Sequence, residues 1–139
     1  MKRIATDDYR ALAAFRYHIR KYLNFSDSAA RSAGLEPKQY ELLLAIKGVP
    51  EGVTATVGAL AEQLDLRHHS TVELVNRAEE KALVRRRRFS IGRSYVMVEL
   101  TSKGDRALNK AVALRLKELR RAGPLLANIL SDLSTVKAP

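Results

Sequence analysis

A mainly helical chain carrying one short β-hairpin is the fold class this sequence predicts, and three observations predict it. Apolar residues recur at three- and four-residue steps over most of the 139 residues, as the buried stripe of an amphipathic helix requires. In the middle, two short helical segments, residues 56–64 and 68–82, are separated by a tight break. Directly after them come Val84-Arg85-Arg86-Arg87-Arg88-Phe89, a break at Ser90-Ile91-Gly92-Arg93-Ser94, and the alternating Tyr95-Val96-Met97-Val98-Glu99-Leu100. The two runs read as paired strands. Two helices, the second with a polar outer face, followed by a basic hairpin, are how a winged helix-turn-helix is written.

In chain order, a first helix is expected over residues 7–23, with Leu12, Phe15, Ile19 and Tyr22/Leu23 on one face. The polar cluster Asn24-Phe25-Ser26-Asp27-Ser28 is expected to kink or interrupt it, and Gly34 to end it. So apolar a helix needs a partner: the intramolecular core or, because a small domain has little spare interior, a second copy of the chain. Pro37 suits the first turn of the next helix, from Lys38 to about Lys47, with Leu42, Leu43 and Ile46 apolar. Gly48-Val49-Pro50-Glu51-Gly52 closes it. This helix would prop the helix-turn-helix from behind.

Thr56 can cap the segment that follows, which places Leu60, Ala61 and Leu64 on one side. Over residues 68–82, Thr71, Val75, Ala78 and Ala82 form an inner stripe, while His69, Glu73, Asn76 and Glu80 point the other way. After the hairpin, Thr101 or Ser102 caps a helix with Asp105 near its N-terminus and a stripe of Leu108, Val112, Leu116 and Leu119. Gly123-Pro124 should break it, leaving a last short helix over residues 125–136 with Leu126, Ile129, Leu130 and Leu133. The expected organisation is a single domain over residues 1–139. Residues 35–104 form its winged helix, and residues 1–34 and 105–139 form flanking helices suited to dimerisation.

Composition narrows the partner. Lys and Arg total 25 against 15 Asp and Glu, a formal charge of +10, which favours a polyanion and most simply nucleic acid. An anionic membrane is the competitor, but no run of about 18 apolar residues exists and no signal-peptide pattern opens the chain. Cysteine is absent, which excludes disulfides and thiol redox sensing and fits the cytoplasm.

A helix fits the major groove of B-DNA and brings its N-terminal residues to the base edges first. Here that turn is Arg67-His68-His69-Ser70-Thr71, whose imidazoles and hydroxyls donate or accept. Glu73 could accept from a cytosine amino group or repel phosphate and sharpen specificity. Other roles stay open: Ser70 and Thr71 as helix caps, and Arg77 either at DNA or in an ion pair with Glu73, Glu80 or Glu62.

In the hairpin, Arg85, Arg86, Arg87, Arg88 and Arg93 crowd one sign of charge with no carboxylate between them. A fold alone does not need that repulsion. Strand alternation places Arg86 and Arg88 on one face and Arg85 and Arg87 on the other. One pair could reach phosphate or the minor groove while the other steadies the wing against acidic residues. Arg suits a narrow minor groove because guanidinium sheds water more readily than ammonium.

Leu35-Glu36-Pro37-Lys38-Gln39-Tyr40-Glu41-Leu42-Leu43-Leu44, Leu60-Ala61-Glu62-Gln63-Leu64, His68-His69-Ser70-Thr71-Val72-Glu73-Leu74-Val75-Asn76-Arg77, Leu83-Val84-Arg85-Arg86 and Leu100-Thr101-Ser102-Lys103-Gly104, in this order, resemble the MarR family of bacterial transcriptional regulators. The resemblance covers residues 35–104 by motif and the rest by helix layout. It implies a homodimeric winged-helix protein whose terminal helices form the dimer interface and which usually represses transcription from a palindromic operator. Many members release DNA when a small aromatic or phenolic compound binds between the dimerisation and DNA-binding parts. This chain departs at three places. Ala82 stands where the family commonly has Gly, Ala78 where it has Leu, and Ile91-Gly92-Arg93-Ser94 keeps the Arg of the wing's Asp-x-Arg but lacks the Asp.

An enzyme is not expected, since there is no Cys, no Gly-rich phosphate loop and no paired-carboxylate or His-x-x-x-His spacing. His68 and His69 lie about 100° apart on a helix, and His18 belongs to another helix, so neither a metal nor a cofactor is expected. The alternative function is a nonspecific architectural nucleic-acid binder, which the charge alone would also allow.

Overall fold

The computed structural model describes residues 3–134. The elements are α1 Thr6–Ser32, α2 Pro37–Lys47, α3 Val57–Leu64, α4 His68–Glu80, β1 Val84–Ile91, β2 Arg93–Leu100 and α5 Ser102–Ser134. The chain is therefore mainly helical with one two-stranded antiparallel hairpin, the fold class expected. It divides into two compact units, one of Met1–Ala29 with Ala113–Pro139, the other of Ala30–Val112. No helix among the described residues is long and apolar enough to cross a membrane.

The second unit holds the winged helix. Pro37 opens α2, where a missing N–H costs nothing, and the Gln39 side chain accepts from the Glu36 N–H at 3.1 Å. Thr56 caps α3 by accepting from the Ala59 N–H at 3.2 Å. Asp65 then turns left-handed, φ 53°, and α4 begins at His68. Leu42, Leu43, Leu60, Val75, Ala78, Val84, Val98, Leu108 and Ala111 gather into one buried cluster. Full burial of an aliphatic side chain contributes about 1.5–3 kcal/mol, so the inner face of α4 is committed and its outer face is left to solvent.

The strands pair from Val84↔Leu100 to Ile91↔Arg93 and turn at Gly92, whose φ of +73° glycine adopts without strain. Beside β2, the Val98 N–H donates to the Ala55 carbonyl at 2.8 Å. A Cβ on Gly104 would lie 2.0 Å from the Leu83 carbonyl oxygen. The first turn of α5 thus rests directly on the backbone that enters the wing, and Thr101 ties the same point by donating its hydroxyl to the Ala82 carbonyl. Thr101 is also the cap, accepting from the Gly104 N–H at 3.0 Å.

Four expectations are corrected. α1 runs without interruption through residues 24–28 and ends before Gly34, φ +81°. Asn, Ser and Asp each cost only several tenths of a kcal/mol in a helix. Phe25, Ser26, Ala29 and Ala30 carry the less exposed face across the cluster, so packing outweighs propensity. α5 likewise continues through Pro124. An interior proline costs about 3 kcal/mol, but Pro124 is exposed, and Ala122, Leu126 and Ile129 stay in phase on the less exposed side only if the helix continues. The last part of the short helix expected over residues 125–136 lies outside the described residues. Ala82 does not extend the buried stripe: it is exposed, past the end of α4, with φ +59°. Neither Ser70 nor Thr71 caps α4, whose N-cap is Arg67.

Candidate nucleic-acid interface

The interface candidate is built from the outer face and first turn of α4 and from the hairpin. Arg67, His68, His69, Glu73 and Arg77 are exposed and Ser70 is half-buried. No side chain caps the helix. The Thr71 N–H, bonded to the Arg67 carbonyl at 3.0 Å, opens the helical ladder, so the turn before it presents backbone donors as well as side chains. Arg77 takes part in no ion pair among the described residues, so the pairing with Glu73, Glu80 or Glu62 held open from the sequence does not form.

Thr71 must be taken out of the expected groove-facing set. It is 0% exposed, and its hydroxyl donates to the Arg67 carbonyl at 3.0 Å. A four-residue step from Arg67 turns it inward beside Val75 and Ala78, so the side chain belongs to the core.

The hairpin arginines divide along the strand. Arg86 was expected toward DNA, but its guanidinium bridges to α4, donating to the Asn76 oxygen at 2.7 Å and to Glu79 at 2.8 Å. On the other face Arg85 donates to its cross-strand partner Glu99 at 2.5 Å, and Arg87 approaches the same carboxylate at 3.6 Å. The hydrogen bond from Arg85, reinforced by both guanidinium charges, holds the Glu99 carboxyl below its ordinary range despite partial desolvation. Arg88 and Arg93, nearer the turn, are exposed and take part in no ion pair among the described residues. The steadying arginines are therefore those at the base of the hairpin, on both faces, because the carboxylates lie there: Glu79 at the end of α4 and Glu99 in β2. Arg87 is intermediate, weakly paired and 5.5 Å from the Phe89 ring centroid.

Asn76, Glu79 and Glu99 are the wing's anchors, and none was legible as an anchor from the sequence. A hairpin register aligning residue 85 with residue 99 was the one signal that could have found Glu99, since opposite charges facing across a strand pair attract.

Residues 33–90 match the family model described as MarR family. A crystal structure of the M. tuberculosis transcriptional regulator MosR in complex with DNA is similar, at 28% identity and a TM-score of 0.59, over 85% of this chain and 89% of that one. A MarR family protein from Bacillus stearothermophilus is 26% identical, with a TM-score of 0.61, over 84% and 81% of the two chains. AbsC, a MarR family transcriptional regulator from Streptomyces coelicolor, shares the fold at 20% identity and a TM-score of 0.71, over 87% of this chain and 81% of that one. No curated protein matches the chain. Local motifs and helix order agree with that match, and residues 33–90 of this chain are similar to the MarR family.

Proposed function

We propose that this chain is a sequence-specific, double-stranded DNA-binding transcriptional regulator, a repressor that binds a palindromic operator as a homodimer in the cytoplasm. In this reading α4 enters the major groove, where Arg67, His68, His69, Ser70, Glu73 and Arg77 face the bases or the flanking phosphates. The wing reaches the neighbouring minor groove with Arg88 and Arg93. One observation carries the reading. α4 buries Thr71, Val75 and Ala78 completely while its opposite face carries hydrogen-bonding side chains that packing does not explain, beside two exposed arginines, Arg88 and Arg93, that pair with no carboxylate among the described residues. MosR, the 28% identical relative, was crystallised in complex with DNA, which favours DNA as the polyanion.

Dimerisation rests on the terminal helices, where Tyr9, Leu12, Leu23, Leu116, Leu119, Leu125 and Leu130 are all exposed in the single chain. The reading includes release by a small aromatic ligand. A cleft of about 340 Å³ within the terminal-helix unit, among Tyr17, His18, Tyr22, Arg121 and Leu126, is large enough for one.

The test is selection from a random duplex library, followed by titration of the selected duplex and a scrambled one at the same salt. A regulator prefers the selected inverted repeat by ~10³-fold or more. Equal affinities would point to a nonspecific architectural protein, which the +10 charge favours as the second reading.

A further inference from the structure

Residues of alternate parity on the hairpin face opposite ways, and one face is committed at its base: Val84 and Val98 lie in the core and Arg86 holds α4. The other face carries Arg85, Arg87 and Phe89 from β1, opposite Glu99, Met97 and Tyr95 from β2. At its distal end Phe89 and Tyr95 stand directly across from each other with their rings stacked, centroids 5.4 Å apart and planes 16° from parallel. Tyr95 is 36% exposed, and Arg88 and Arg93 flank the pair in sequence. Among the described side chains, a stacked aromatic pair is thus an apolar part of a strongly cationic wing end.

Charge calls for a polyanion there, and an exposed Tyr95 ring stacked on a half-buried Phe89 calls for a polyanion with apolar surface next to its charges. Duplex DNA offers this along the minor groove, whose walls are deoxyribose rings beneath the phosphates. The spacing fits as well. Phe89 lies two residues from the last pair of the hairpin, about 7 Å along a strand, and the minor groove is about 7.5 Å deep. With the turn and Arg93 at the groove floor, the aromatic pair stands at the sugar rim.

We infer, on the DNA-binding reading above, that the Phe89–Tyr95 stack is a pad that packs on the deoxyribose rims of the minor groove entered by the wing. It supplies a part of the affinity that salt does not screen, while Arg88 and Arg93 supply the part that salt does. Phe89 touches Arg87 and Tyr95, so the rings act as one rigid surface.

The experiment titrates wild type, Tyr95→Thr, Phe89→Thr/Tyr95→Thr and Arg88→Ala/Arg93→Ala against a duplex selected by the wild type from a random library, over a salt series. Threonine keeps strand preference while removing the rings, and Tyr95→Phe keeps the stack and removes only the hydroxyl. The threonine variants should lose about tenfold in affinity at every salt, one decade being the scale of a lost aromatic contact, with the log–log slope unchanged. The arginine variant should lose slope, by roughly 0.9 per phosphate contact. Tyr95→Phe should bind as wild type.

Hydroxyl-radical cleavage adds a readout that does not depend on affinity. Wild type should protect deoxyriboses in the outer minor grooves, and Tyr95→Thr should lose that protection while keeping the central footprint. Wild-type affinity in the threonine variants, a loss that fades with salt, or no outer protection by wild type overturns the pad and leaves the DNA-binding reading standing. A wild type that retains no duplex overturns both.

Discussion

At Ala82 the backbone takes φ +59°, its N–H donates to the Glu79 carbonyl, and the Leu83 N–H reaches back to the Ala78 carbonyl, each at 2.9 Å. That bond pattern is the Schellman ending of a helix, and its left-handed residue is most often glycine because a Cβ costs about 1–2 kcal/mol there. Ala82→Gly should therefore raise stability by about 1 kcal/mol, less what the freer unfolded chain takes back, and move the thermal midpoint up by a few degrees. A thermal melt showing no change or a decrease would mean the site relaxes around alanine. Within one helix turn Thr71 is buried and Glu73 is exposed. Thr71→Val keeps the shape and loses one hydrogen bond to Arg67, so the operator preference should stay that of wild type. Glu73→Ala should relax preference by about 1–3 kcal/mol at one base pair, symmetrically in both half-sites. Binding of both variants to an operator library tests the pair, and altered preference in Thr71→Val would contradict its place in the core.

The wing works as an element because α4 and β2 hold its base. Arg86 is a positioning residue, joined to Asn76 and Glu79 of the helix that carries the outer-face side chains. Arg86→Ala should weaken binding to all sequences alike while leaving the salt slope nearly unchanged, since no phosphate contact is removed. A slope lowered as far as in an Arg88 variant would show Arg86 on phosphate instead. Acid should loosen the same base from the other face. The folded Glu99 carboxyl titrates below its ordinary value, chiefly through the Arg85 hydrogen bond. Its contribution is therefore complete above the ordinary glutamate value of about 4.3 and is lost as pH falls through the lower folded one. Glu99→Gln should remove that part of the acid dependence, measured by denaturant unfolding from neutral pH down to about pH 3. An unchanged profile would show that the pair with Arg85 contributes nothing in water, a common fate of exposed ion pairs.

For the whole molecule the decisive property is how much apolar surface a single chain leaves uncovered. Most of the exposed large hydrophobic residues sit in α1 and α5, among them Tyr9, Leu12, Tyr17, Leu23, Leu116, Leu119, Leu125 and Leu130. Pairing two copies through these helices should bury upwards of about 2,000 Å², the range of obligate interfaces. Static light scattering at micromolar concentration should therefore give twice the chain mass of 15.5 kDa. Leu12→Glu/Leu116→Glu should give monomer or insoluble protein. A stable monomer of the intact chain would remove both the dimer and the palindromic operator from the proposal.

What the sequence determined by itself was local and periodic. Helices announced by three- and four-residue apolar spacing, the cap at Thr56, a cap at Thr101 or Ser102, the proline at the head of α2 and the strand alternation of the hairpin are written in neighbouring residues, because helix and strand formation depend on neighbours. The basic wing and the polar outer face of α4 were legible for the same reason. Where a local signal met a distant one, tertiary packing decided. Pro124 and residues 24–28 read as breaks, yet α1 and α5 run through them because the less exposed faces on either side stay in phase only in a continuous helix. Thr71 could be read as cap, contact or core until the core formed around it. The wing arginines were alike in sequence, and only the approach of Asn76, Glu79 and Glu99 separated those that hold the wing from Arg88 and Arg93. A charge is engaged or free according to what lies within a few ångströms of it, and residues 7 to 14 positions away in the chain become such neighbours only after folding.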